Sequence, residues 1–238
     1  MINIVRNDER GKSDVDWLRT RFSFSFAEYR NPHRMSFGVL RVVNDDRISP
    51  RSGFPQHEHA EMEIVTVMLE GILTHEDSMG NKKEITSGEV QVMTAGTGVA
   101  HSEWNHSTTE TAALIQIWIY PKERALIPQY DQKRFDEAGR RNVFQVLVSG
   151  VKKDGALFIH QDAQLARASI TKDSSALYVL TNNTHGLFIF VISGRVSLGE
   201  GTLYARDSME ITDEAEVRIE ANEDSDVLVI EVPLHTSR

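Results

Sequence analysis

Two short stretches of the chain concentrate residues that bind metals or move protons. The first is QHEHAEME at 56–63, where two of the nine histidines sit with three glutamates inside eight residues. The second is TAGTGVAHSEWNH at 94–106. In an extended chain successive side chains point to opposite faces. His57, His59, Glu61 and Glu63 would then share one face, and His101, Glu103 and Asn105 would share another. Three imidazoles and a carboxylate suit Fe, Mn, Co, Ni, Cu or Zn, with positions left for water or substrate. The chain has no cysteine, so thiolate ligands, disulfides and cysteine nucleophiles are excluded and a metal must be held by nitrogen and oxygen. His33, His75, His106, His160, His185 and His235 read as ordinary surface or core side chains.

These two clusters need strands to position them. FGVLRVVN (37–44), IVTVMLE (64–70), VQVMT (90–94) and LIQIWIY (114–120) are rich in β-branched and aromatic residues, with glycine-bearing turns between them. Between the clusters there is room for two strands, a hairpin and a return, so a small barrel would bring His57 and His59 beside His101 and Glu103. Residues 122–142 are polar, hold Pro128 and lack a sustained period, which reads as a connection. The rhythm then resumes at 177–181, 187–194, 195–201, 216–221 and 227–233. The halves look like diverged copies of one module, LEG at 69–71 answering ISG at 192–194. The second copy has no HxH and no clustered histidines, so it is expected to carry no metal. The expected architecture is all-β: two antiparallel β-barrel or jelly-roll modules, residues 1–130 and 131–238, with few short helices.

Composition narrows the function. The formal charge of −9, from 26 basic and 35 acidic residues, argues against broad binding to nucleic acid or anionic membrane. The N-terminal segment is charged where a signal peptide is apolar, and no apolar run reaches membrane-spanning length, so a cytoplasmic protein is expected.

At this point a family resemblance emerges. Gly53-x3-His57-x-His59-x3-Glu63-x7-Gly71 and Gly88-x5-Thr94-x-Gly96-x4-His101-x3-Asn105 resemble the two cupin motifs. The first has an off-length glycine spacing. The second has Thr94 where proline is common and two extra residues before the histidine. Both departures are those of the pirin group of bicupins. FSFSFAEY (22–29), MLEG (68–71), HEDSMGN (75–81) and MTAGTGVAHSE (93–103) are also pirin-like and follow in the same order. The resemblance covers nearly all of residues 1–130 and is closest to the bacterial pirin-like quercetin dioxygenases. Over 131–238 it is architectural.

The resemblance implies a bicupin with one divalent metal in the N-terminal module, Fe(II) first, with Ni, Zn, Mn, Co or Cu able to replace it. Its ligands would be His57, His59, His101 and Glu103, with Glu103 also serving as the catalytic base. The general cupin pattern would use Glu63 instead, and spacing by itself leaves that choice open. Following the closer family, Glu63 and Asn105 become supporting partners behind the ligands. The implied reaction opens the central ring of a flavonol such as quercetin with O2 and releases CO. Eukaryotic pirins resemble the chain in the same motifs and are regarded as nuclear, iron-dependent coregulators. A redox-responsive binding protein with a protein partner is therefore a second reading, and an isomerase or other cupin enzyme a third. The charge of −9 and the lack of a basic run weigh against a nuclear role. An enzyme requires an open pocket above the metal, whereas a switch requires only an exposed rim. Ala60-Glu61-Met62 stands where an Arg-Gly-aromatic segment is usual, which is expected to make the pocket mouth more acidic. Phe22, Phe24 and Phe26 alternate in FSFSF and are expected first as core, with pocket lining as the alternative.

Overall fold

The computed structural model describes residues 1–152 and 155–235. In chain order its first part forms β1 (Ile2–Val5), β2 (Gly11–Val15), β3 (Leu18–Phe22), β4 (Leu40–Ile48), β5 (Ser52–His59) and β6 (Glu63–Glu70). There follow β7 (Ile72–Asp77), β8 (Lys82–Thr86), β9 (Glu89–Thr94), β10 (Val99–Asn105), β11 (Ala112–Ile119) and β12 (Gln129–Arg134). The remainder begins with β13 (Gln145–Ser149), β14 (Leu157–Phe158), β15 (Gln164–Ile170), β16 (Ser175–Val179) and β17 (His185–Ser193). It ends with β18 (Arg195–Leu198), β19 (Gly201–Tyr204), β20 (Ser208–Ile211), β21 (Glu216–Ala221) and β22 (Ser225–Pro233). Two 3-10 turns, Asn7–Glu9 and Glu137–Arg140, are the helical elements among the described residues. No helix among them is long and apolar enough to cross a membrane.

The strands form two sandwiches, as the all-β, two-module expectation required. One pairs the sheet β12-β9-β6-β11-β4-β3-β2 with β5-β10-β7-β8; the other pairs β1-β20-β17-β22-β15-β13-β14 with β16-β21-β18-β19. Pairing is antiparallel throughout, except that the short β14 runs parallel to β13. Four strands, β6 to β9, separate the two ligand-bearing strands, more than the spacing suggested.

The expected boundary at residue 130 falls inside β12, which pairs with β9 from Gln129 to Arg134. Read from composition, this segment is a polar connection. It is an edge strand whose side chains are mostly exposed, so no apolar alternation marks it. At the other end of the chain, β1 crosses over to pair with β20 in the second sandwich.

The two seven-stranded sheets pack against each other. Val43, Val65, Val67, Ile115 and Ile117 of the first share one buried cluster with Leu165, Phe188, Phe190, Leu228 and Ile230 of the second. This explains why β6 and β17 are apolar along most of their length: both faces of each are covered. On β6, Val65 and Val67 face the other module, while Met68 and Ile64 join clusters inside their own sandwich. FSFSF is divided in the same way. Phe24 meets Phe188 across the interface, with ring centroids 5.9 Å apart, whereas Phe22 and Phe26 meet each other at 5.4 Å on the opposite side.

Candidate metal centre

The first sandwich brings β5 and β10 side by side, with His57 opposite His101 and His59 opposite Val99. The TAGTG turn leading into β10 depends on Gly96. It has φ +48°, and a Cβ there would lie 2.0 Å from the Leu126 carbonyl oxygen. Along β10 the alternation is regular: Val99, His101, Glu103 and Asn105 are buried, and the residues between them are less so. A register shift between His101 and Glu103 places Glu103 opposite Phe54. Gly53 makes the close approach possible, because a Cβ there would sit 2.2 Å from the Glu103 carbonyl oxygen.

His57, His59 and His101 converge, with candidate ligand atoms all within 4.8 Å of one another. Their Nδ1 atoms are in part already engaged. His57 Nδ1 lies 2.8 Å from the Pro55 carbonyl oxygen, and His101 Nδ1 lies 3.4 Å from His75 Nδ1. His101 Nε2 is buried with no hydrogen-bond partner. Burial, reinforced by His57, lowers the His59 pKa to about 4, and burial with the neighbouring histidines drives His101 lower. Neutral imidazoles with lone pairs aimed at one point are what a metal ion requires. A buried nitrogen without a partner is costly unless a ligand completes it. The donor set therefore fits a borderline divalent ion.

Glu103 is buried beside this cluster. Gln116 Nε2 donates to its Oε2 at 2.9 Å and Gln91 Nε2 to its Oε1 at 3.2 Å. Burial raises its pKa despite these donors and the nearby histidines. Its carboxylate falls within a second group, His75, His101 and Glu103, whose candidate ligand atoms also lie within 4.8 Å. The four expected ligands thus occupy two overlapping clusters that share His101.

Above the histidines opens a cavity of about 380 Å³. Phe22, Phe26, Phe54, Ile64 and Trp118 give it apolar walls; Thr20, Asn44, Asp46 and Gln116 add polar groups. Trp118 sets its ring edge-on to His59, with centroids 4.8 Å apart. Asp46 is fully buried, and burial lifts its carboxyl to about 7.

Residues 4–119 match the family model described as Pirin, and residues 146–232 match the one described as Quercetinase C-terminal cupin domain. The quercetin 2,3-dioxygenase of Escherichia coli K12 is 41% identical over 98% of this chain and 99% of its own length.

The chain belongs to the pirin family.

A pirin-like protein of Caulobacter vibrioides is 39% identical, covering 97% of this chain and 99% of its own. The crystal structure of the bacterial pirin YhhW from Escherichia coli in complex with nickel(II) matches with a TM-score of 0.92. It is 40% identical and covers 98% of this chain and 99% of that one. The two-cupin arrangement is thus shared by this pirin and its relatives, and its histidine–glutamate cluster fits a divalent metal.

Several residues of this pirin lie elsewhere than a simple alternation implies. The chain turns at 60–62: β5 ends at His59, Glu61 adopts φ 53°, and β6 starts afresh at Glu63. The expected common face of His57, His59, Glu61 and Glu63 is broken there. Glu61 occupies a left-handed position, and its carboxylate accepts a bond from the Ala125 amide at 3.0 Å. It does not line the cavity, so the expected acidic mouth does not come from this residue. Glu63 shares the alternation of Val65 and Val67 and so faces the module interface. Its Oε2 accepts from Thr94 Oγ1 at 2.9 Å, and burial raises its pKa to about 7. Asn105 points inward but serves the backbone: Nδ2 donates to the Ile48 and Glu110 carbonyls, and Oδ1 accepts from Ser107 N.

His75, read from the sequence as an ordinary side chain, is fully buried against His101. The signal was present in HEDSMGN, where His75 and Asp77 alternate on one face of β7. β7 pairs with β10 so that His75 lies opposite Glu103 and Asp77 opposite His101.

Proposed function

We propose that this pirin is a metal-dependent dioxygenase that opens the central ring of flavonols such as quercetin with O2 and releases CO. The observation that carries this reading is the largely apolar cavity, about 380 Å³, ending on three converging histidines and a buried glutamate. Its volume falls in the range of small-molecule sites, about 300–1,000 Å³. A redox-responsive binding role would require only an exposed rim.

His57, His59, His101 and Glu103 would hold one divalent ion, Fe(II) in the first place. When bound, such an ion supplies positive charge and open coordination positions that lower the pKa of a hydroxyl placed against it. Glu103 then takes the proton of the flavonol 3-hydroxyl. Gln91 and Gln116 keep its carboxylate oriented for that transfer. Phe22, Phe26, Phe54 and Trp118 offer ring faces and edges to the flat substrate and exclude water. Thr20, Asn44 and Asp46 offer partners for its phenolic hydroxyls. The name of the Escherichia coli relative points to the same substrate.

The test is CO release from quercetin in air by Fe(II)-loaded protein, with His101→Ala as the blank. CO from the wild type alone is expected. No CO from protein that retains its iron would overturn the reading.

A further inference from the structure

We propose that His75 is a positioning residue, part of a buried Asp77–His75–His101 relay that fixes His101 as its Nδ1–H tautomer and leaves Nε2 for the metal. The inference rests on the reading of His101 as a ligand. It concerns a residue that does not itself touch the ion.

The relay starts from Asp77. Its Oδ1 accepts from the backbone amides of Met79 and Asn81 at 2.9 and 3.0 Å, and its Oδ2 from Asn81 Nδ2 at 2.9 Å. With these three bonds both carboxylate oxygens act as acceptors. A carboxylate can only accept, so His75 Nε2, 2.9 Å from Oδ2, carries a proton. With that proton on Nε2, Nδ1 is the His75 atom left to accept. That atom lies 3.4 Å from His101 Nδ1, which must be the donor. His101 Nε2 is left unprotonated, and it is the atom that is buried without a partner. Both His75 and Asp77 side chains are wholly enclosed, and Tyr130 stacks on the His75 ring at 4.6 Å, which fixes its plane. At 3.4 Å the second bond is weak, so its effect is on tautomer and ring orientation. A metal-bound histidine commonly donates its other N–H to an acceptor, and loss of that acceptor costs about 10–100-fold in metal affinity. Here the acceptor is a second histidine, anchored in turn by the HEDSMGN loop.

Zinc is a suitable probe, being diamagnetic and needing no turnover. Long-range 1H–15N spectra of the labelled protein should show His75 as the Nε2–H tautomer with and without zinc. His101 should be Nδ1–H, with only its Nε2 shifted by the metal. An Nδ1–H His75, a doubly protonated His75, or a zinc-induced shift at His75 Nδ1 would each overturn the relay. In a chelator competition, His75→Phe should bind zinc about 10–100-fold more weakly than the wild type. His75→Gln, which keeps both a donor and an acceptor, should remain close to the wild type. Circular dichroism would show whether His75→Phe folds; if it does not, the wild-type spectra and His75→Gln still decide. Zinc binding by His75→Phe equal to that of the wild type would overturn the relay alone. Absence of zinc from the wild type would overturn the metal reading and the relay with it.

Discussion

At the scale of single residues, the distinction that matters is which carboxylate belongs to the site. Replacing His57 or His59 with alanine should abolish metal binding and leave the fold intact, as read by metal analysis beside circular dichroism. Unchanged metal in both variants would remove the site assignment. Glu63→Gln separates the two glutamates. Glu63 faces the module interface, so metal content should be unchanged. The same variant should alter stability in a defined direction. Burial raises the Glu63 pKa from the ordinary 4.5 to about 7. Between those values the folded chain keeps a proton that the unfolded chain has released, so this group's contribution falls as pH rises. Glutamine imitates the protonated form. The variant should therefore match the wild type near pH 4.5 and exceed it at pH 8 by about 1–3 kcal/mol, measured by urea unfolding.

At the scale of elements, the site depends on how tightly β5 lies against β10. His57 and His101 are cross-strand partners, and Gly53 sits on the Glu103–Trp104 backbone three to four residues away. An added methyl there would meet the Glu103 carbonyl at 2.2 Å and Trp104 Cα at 2.6 Å, backbone contacts that no side-chain rotation relieves. Gly53→Ala should cost about 1–3 kcal/mol and reduce metal affinity as the strands separate. Thermal unfolding and a zinc titration on one preparation would read both; wild-type values in each would show the contact is not limiting. The strands themselves are largely legible from β-branched runs and glycine turns. β12 is not, because an edge strand of mostly polar, exposed side chains has no apolar period to read.

At the scale of the molecule, the two cupins share a core. The cluster that joins Val65, Val67 and Ile115 to Phe188, Phe190 and Leu228 lies between the modules, and β1 and β12 extend sheets across the expected boundary. Phe188→Ala should cost about 3–5 kcal/mol, as for other buried aromatic truncations. Both modules should still unfold in one transition, seen by calorimetry. Two separated transitions would show that the interface is not shared in the way its packing indicates. The second module thus has a physical role: it covers the outer face of the sheet whose inner face holds Thr66, Gln91 and Gln116 against Glu103.

By itself the sequence determined the all-β repeat, the family and the pair of strands that carry the clustered histidines, and it suggested the ligand chemistry. Each of these is local: residue type, spacing and alternation within one strand are properties of a few consecutive residues. Only the tertiary structure decided what depends on parity and partners. The turn at Glu61 resets the alternation, so Glu63 looks away from His57 although the count of residues says otherwise. His75 enters the site because β7 happens to be the other neighbour of β10. Which face of β6 looks toward the candidate metal pocket and which toward an interface follows from the second module, more than a hundred residues along the chain.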